Sequence, residues 1–141
     1  MKVLLPVDGS KSSLNAVKYV AKLATNSRSP IKVTLVSVHD DVGLGHVKQF
    51  VSKSVVDDYL REVSEKDLKP AQKVLDAARV KHSMVIKRGH IAEEIIAQAN
   101  KDKVDIIVMG AKGRGGILDV IMGSVAQRVS SSAKQPVLLI K

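Results

Sequence analysis

The sequence predicts a single α/β domain built on a parallel sheet of five strands. Three observations carry this reading. Short aliphatic runs alternate along the chain with segments whose apolar residues recur at helical spacing. The runs KVLLPV, VDIIVM and VLLI are largely continuous, as expected of strands covered by helices on both faces, whereas half-exposed strands alternate apolar with polar. The 141 residues suffice for one domain that buries about 70% of its unfolded surface without a staple. No internal repeat, linker or low-complexity tract divides residues 1–141.

The first strand covers residues 2–7 and ends in Asp8, Gly9 and Ser10. Residues 10–27 form a helix with Leu14, Val17, Ala21 and Ala24 on one stripe, and Ser10, Ser12 or Ser13 can cap it. Pro30 introduces the second strand, 31–38, and His39, Asp40, Asp41, Gly43 and Gly45 read as a loop. Residues 47–81 are helical in pattern, led by Phe50, Val51, Val55, Tyr59 and Val63, with a break or kink expected at Pro70 because proline fits only a helix's first turn without loss. The third strand is 83–88. After Gly89 and His90 a helix over 91–103 places Ile91, Ile95 and Ala99 on one face. The fourth strand, 104–109, leads into a glycine segment, then a helix over 124–134, then Pro136 and the last strand, 137–140.

Composition removes several classes of function. The chain has no cysteine, so disulfides, thiolate nucleophiles and cysteine-held metals are excluded. The apolar stretch VLLPV is too short for a secretion signal and no segment approaches a membrane span, which reads as a cytoplasmic protein. Net charge is +9, which attracts polyanions, but the lysines are scattered and aromatics make up only 2%. Phe50, Tyr19 and Tyr59 are too few and too dispersed for a base-stacking platform, so nucleic acid is disfavoured as a partner.

The segment MGAKGRGGILDVIMGSV holds five glycines. It is not a P-loop, because Gly116 stands where that motif needs lysine, nor a dinucleotide fingerprint, because Leu118 stands where the third glycine belongs. What remains is Gly110-x2-Gly113-x9-Gly123-Ser124. In physical terms, Gly110 and Gly113 permit a tight turn at positive φ, close approach to a ligand and a nest of amides. Gly123 and Ser124 open a helix whose free N–H groups and positive dipole end attract phosphate. The intervening arm, with Ile117, Leu118, Val120 and Ile121, is expected to tuck against the domain. In an open parallel sheet this segment and Asp8-Gly9-Ser10 line one crevice if their strands flank a switch in strand order.

With this spacing and the opening Pro6-Val7-Asp8-Gly9-Ser10, the chain resembles the universal stress protein family over its whole length. LVSVHD, GHIAEEI, VDIIVMGAKGRGG and PVLLI carry the resemblance further. It implies strand order 3-2-1-4-5, a homodimer paired through the last strand, an unknown protein partner, and ATP, AMP or ADP as ligand, with magnesium or manganese on the phosphates. Carried over by position, Asp8 bonds the ribose or adenine side, and Pro6, Val7 and Val38 line the adenine pocket. Met109, Gly110 and Ala111 begin the loop, and Gly113, Gly123, Ser124 and Val125 hold the phosphates. Ala111-Lys112 stands where many members have Ser-His or Arg-His, and His90-Ile91 where many have proline.

Lys112 and Arg114 lie inside the loop and are the first candidates to neutralise phosphate, ahead of Arg128. Asp8 has a purely structural alternative, an Asx turn at a strand–helix junction. His39, Asp40 and Asp41 match no zinc spacing. No nucleophile elbow and no His-Glu-x-x-His is present, and no set of base and metal-holding carboxylates stands out. The reading is therefore a nucleotide-dependent stress regulator or sensor with at most slow hydrolysis. The alternatives are an ATP-hydrolysing or phosphoryl-transferring enzyme and a basic nucleic-acid-binding protein.

Overall fold

The computed structural model describes residues 1–40, 52–113 and 122–141. Five strands, β1 (Lys2–Pro6), β2 (Lys32–His39), β3 (His82–Arg88), β4 (Ile106–Gly110) and β5 (Val137–Ile140), alternate with helices α1 (Lys11–Asn26), α2 (Lys53–Ala77), α3 (Ile91–Asp102) and α4 (Ser124–Ser132). All neighbouring strands pair in parallel, in the order β3-β2-β1-β4-β5. The strand order implied by the family resemblance is the one observed. β1 sits mid-sheet, and the chain winds outward from it first through β2 and β3, then on its other side through β4 and β5.

The continuous aliphatic runs are explained by burial on both faces. Val3 and Leu5 of β1 join Leu35 of β2 and Val108 of β4 in a core under α1 and α2, with Val17, Val20, Leu68 and Leu75. Leu4, Val36, Ile107 and Met109 point the other way, into a second core under α3 and α4 with Ile95, Ala99 and Val129. Successive strand residues thus serve opposite cores.

Ser10 is the helix cap: its side chain accepts from the Ser13 amide. The break expected at Pro70 is absent, because α2 runs through it as one helix. Pro70 is exposed, while Leu68 and Ala71 on either side are buried in the α1–α2 core. Packing of that face outweighs one lost backbone bond, whose orphaned carbonyl can face water.

Candidate functional site

The C-terminal ends of β1 and β4, neighbours at the switch in strand order, open onto a cavity of about 120 Å³. One wall is apolar: Pro6, Val7, Val36, Val38, Ile91, Ile95 and Met109. The other side is polar or bare backbone: Asp8, Lys112, Gly113, Gly123 and Ser124. Gly110 and Val125 complete the sequence-derived set that lines it. Ser13, Val36, Ile91, Ile95 and Ala126 also line it and were not singled out from the sequence. Two signals pointed to some of them. Val36 shares a strand face with Val38, and Ile91 and Ile95 are one helical turn apart behind Gly89.

The glycines act differently from the expectation. Gly110, Gly113 and Gly123 do not adopt positive φ; among the described glycines only Gly9 (φ 81) and Gly89 (φ 145) do. Gly110 is required by packing. A Cβ there would stand 2.6 Å from Ser12 Oγ and 2.7 Å from the backbone of Ser12 and Ser13, so β4 ends in direct contact with the first turn of α1. A Cβ on Gly113 would meet only Asp8 Oδ2, at 3.6 Å, an ordinary contact. A Cβ on Gly123 would crowd Gly113 N at 3.2 Å, because the two motif edges lie side by side.

Hydrogen bonds hold these edges in place. Gly123 N donates to Ala111 O at 2.6 Å and Ala111 N donates to Ile140 O at 2.7 Å. Ser12 Oγ donates to the same Ile140 carbonyl at 3.0 Å and accepts from Lys112 N at 3.3 Å. Ala111 therefore does not line the cavity as expected. It is buried, and it ties the loop to β5 through its backbone. Arg114 and the arm residues Ile117, Leu118, Val120 and Ile121 lie outside the described residues. Arg128 is turned to Glu93 in an exposed ion pair and does not line the cavity.

Asp8 performs the structural role and keeps a free edge. Its Oδ1 accepts from Ser10 N at 2.9 Å, an Asx turn, while Oδ2 faces Gly113. Three helix starts border the cavity and differ: α3, which begins at Ile91 after His90, has no side-chain cap and presents Ile91 and Ile95 to the apolar wall. The first turn of α1 is satisfied by Ser10, whereas no side chain caps α4, which begins at Ser124 after Gly123. Its free amides and dipole end favour an anion. Together the parts form a slot with an apolar wall for a planar ring, a carboxylate at its edge and an anion-attracting end. Among the described residues no three His, Asp or Glu side chains converge to hold a metal, and no helix is long and apolar enough to cross a membrane.

Known proteins share this fold. The model of the Universal stress protein family matches residues 1–141. Universal stress protein MJ0531 of Methanocaldococcus jannaschii is 33% identical over 99% of this chain and 81% of its own length. The solved structure of MJ0577, also from that organism, superposes with a TM-score of 0.87 at 28% identity, covering 99% of this chain and 94% of that one. A universal stress protein from Archaeoglobus fulgidus, solved in complex with dAMP, shares the fold with a TM-score of 0.66 at 20% identity, over 100% of this chain and 98% of that one.

Proposed function

The chain belongs to the universal stress protein family, and from that premise we propose that it binds an adenine nucleotide, with ATP as the preferred ligand, and acts as a nucleotide-dependent regulator in the cytoplasm. One observation supports this above the rest: the apolar wall of Val7, Val38 and Met109 and the uncapped start of α4 face one cavity. A nucleotide needs both a dry slot for its base and an anion site for its phosphates. Asp8 Oδ2 is the acceptor for a ribose hydroxyl, and Gly113, Gly123, Ser124 and Val125 border the phosphates. Lys112, which has no ion pair among the described residues, adds a positive charge there. In this reading Arg114 supplies a further charge from the loop.

Asp8 is the one carboxylate among the described residues lining the cavity. A magnesium or manganese ion therefore finds no protein cage among the described residues, and in this reading it enters as a counter-ion carried by the phosphates. The same scarcity of acids favours binding over efficient hydrolysis. In the proposal the protein is a homodimer paired through β5, supported by β5 being a sheet edge whose four residues are all partly exposed. Sedimentation velocity reads the dimer directly, and a monomer at working concentration removes that part.

Isothermal calorimetry with ATP, ADP and AMP tests the central proposal. Saturable binding by the folded protein is expected, with phosphate release near background. Clean folding with no heat from any of the three overturns it.

A further inference from the structure

A second groove, of about 680 Å³, opens at the opposite pole of the sheet. It lies between the first residues of β1, β2 and β3 and the C-terminal half of α3. The five-residue length of β1 separates the two poles by about 17 Å at roughly 3.3 Å per residue. Lys2, Lys32, Lys81, Lys101 and Lys103 surround the groove. They come from four separate segments of the chain.

The charge is largely uncompensated. Asp102 is the one carboxylate among the lining residues, and Gln98 Nε2 already donates to its Oδ2 at 2.8 Å. Lys2 Nζ reaches the Asp102 carbonyl at 3.5 Å. Among the described residues Lys32, Lys81, Lys101 and Lys103 carry no ion pair. The negative C-terminal end of α3 accounts for Lys101 and Lys103. Nothing comparable accounts for Lys32 and Lys81, which extend from the starts of β2 and β3.

The groove is rich in donors and poor in acceptors. Its ammonium groups are joined by the Thr34 and Ser83 hydroxyls, 3.5 Å apart. Of the side-chain acceptors, Asp102 Oδ2 is taken by Gln98 Nε2, which leaves Asp102 Oδ1, Gln98 Oε1 and the two hydroxyls against five ammonium groups. A polypeptide would bring N–H donors that find few partners here, at a cost for each one left unmet. A nucleic acid would bring bases, yet the lining contains no Phe, Tyr or Trp ring to stack them and no arginine fork to read them, and its one imidazole, His82, is held by Nδ1 to the Val80 carbonyl at 3.0 Å. A ligand that only accepts suits the groove best. We propose that it binds a linear polyphosphate chain, held by lysine point charges at a site separate from the nucleotide cavity.

Fluorescence anisotropy with end-labelled inorganic polyphosphate tests this. The full-length protein should bind at low salt, with log affinity falling against log salt by roughly 0.7 for each phosphate neutralised. Lys32→Glu with Lys81→Glu should weaken binding about tenfold and flatten the salt slope. Both side chains are exposed, so the fold should persist. Lys18→Glu with Lys22→Glu makes the same change in net charge on α1, across the sheet, and should leave affinity within about twofold. Lys101→Gln alone should give a smaller loss in the same direction as the strand pair. The proposal is overturned by no binding of the wild type or by equal weakening in the α1 control. Polyglutamate or single-stranded DNA competing as strongly as polyphosphate, charge for charge, also overturns it. A failure here leaves the calorimetric test of the nucleotide cavity untouched.

Discussion

The two poles of the sheet attract anions by opposite means. At the C-terminal pole the machinery is backbone: amides at the start of α4, glycines at 113 and 123, and one lysine in the lining. At the N-terminal pole it is side chain, with five lysines around an open groove. A backbone site demands close approach, so it depends on missing Cβ atoms and on how neighbouring segments are tied together. A lysine site depends on charge number and tolerates reshaping. The first can hold one ligand in one pose. The second fits a ligand without a fixed pose.

The sharpest way to break this contrast is at the glycines. Gly110→Ala places a Cβ within 2.7 Å of backbone atoms of Ser12 and Ser13, which cannot step aside as a flexible side chain could. A loss of about 1–3 kcal/mol in denaturant unfolding is expected from this overpacking. The same change at Gly113 makes only a 3.6 Å contact and should alter stability by less than about 0.5 kcal/mol. Similar losses at both positions would mean that the loop, not the β4–α1 contact, limits stability. Gly113→Val then sharpens the functional side. It should lower ATP affinity in calorimetry at least tenfold, about 1.4 kcal/mol, with the thermal transition nearly unchanged.

Ser12→Ala comes next. It removes the donor to Ile140 O and the acceptor of Lys112 N, but Ile140 O keeps Ala111 N. A cost of about 1 kcal/mol in chemical denaturation is expected. The smallest effect belongs to the lysine pole. Lys32→Glu with Lys81→Glu should change stability by no more than about 0.5 kcal/mol, because both side chains are exposed and unpaired. A large loss there would show that the lysines serve the fold.

Periodicity and turn residues are local properties, and the sequence alone determined what they determine. The five strands and four helices could be read from aliphatic runs, helical stripes and the punctuation of Gly9, Pro30, Gly89 and Pro136. The motif spacing singled out Gly110, Gly113, Gly123 and Ser124, and the family resemblance supplied Pro6, Val7, Val38, Met109 and Val125, all of which line the cavity. Strand order came from resemblance and not from pattern, since no local signal says which strands pair. Pro70 misled because its local penalty is offset by the buried contacts of Leu68 and Ala71.

Tertiary structure decided what depends on residues far apart in the chain. Gly110 is glycine because Ser12, nearly a hundred positions earlier, lies against it. Ala111 faces β5 instead of the cavity because Ile140 offers it an acceptor. The lysines that looked scattered along the chain gather because the starts of three parallel strands and the end of α3 meet at one pole. Spacing along a chain records what a segment can do by itself, and only folding shows which segments share a surface.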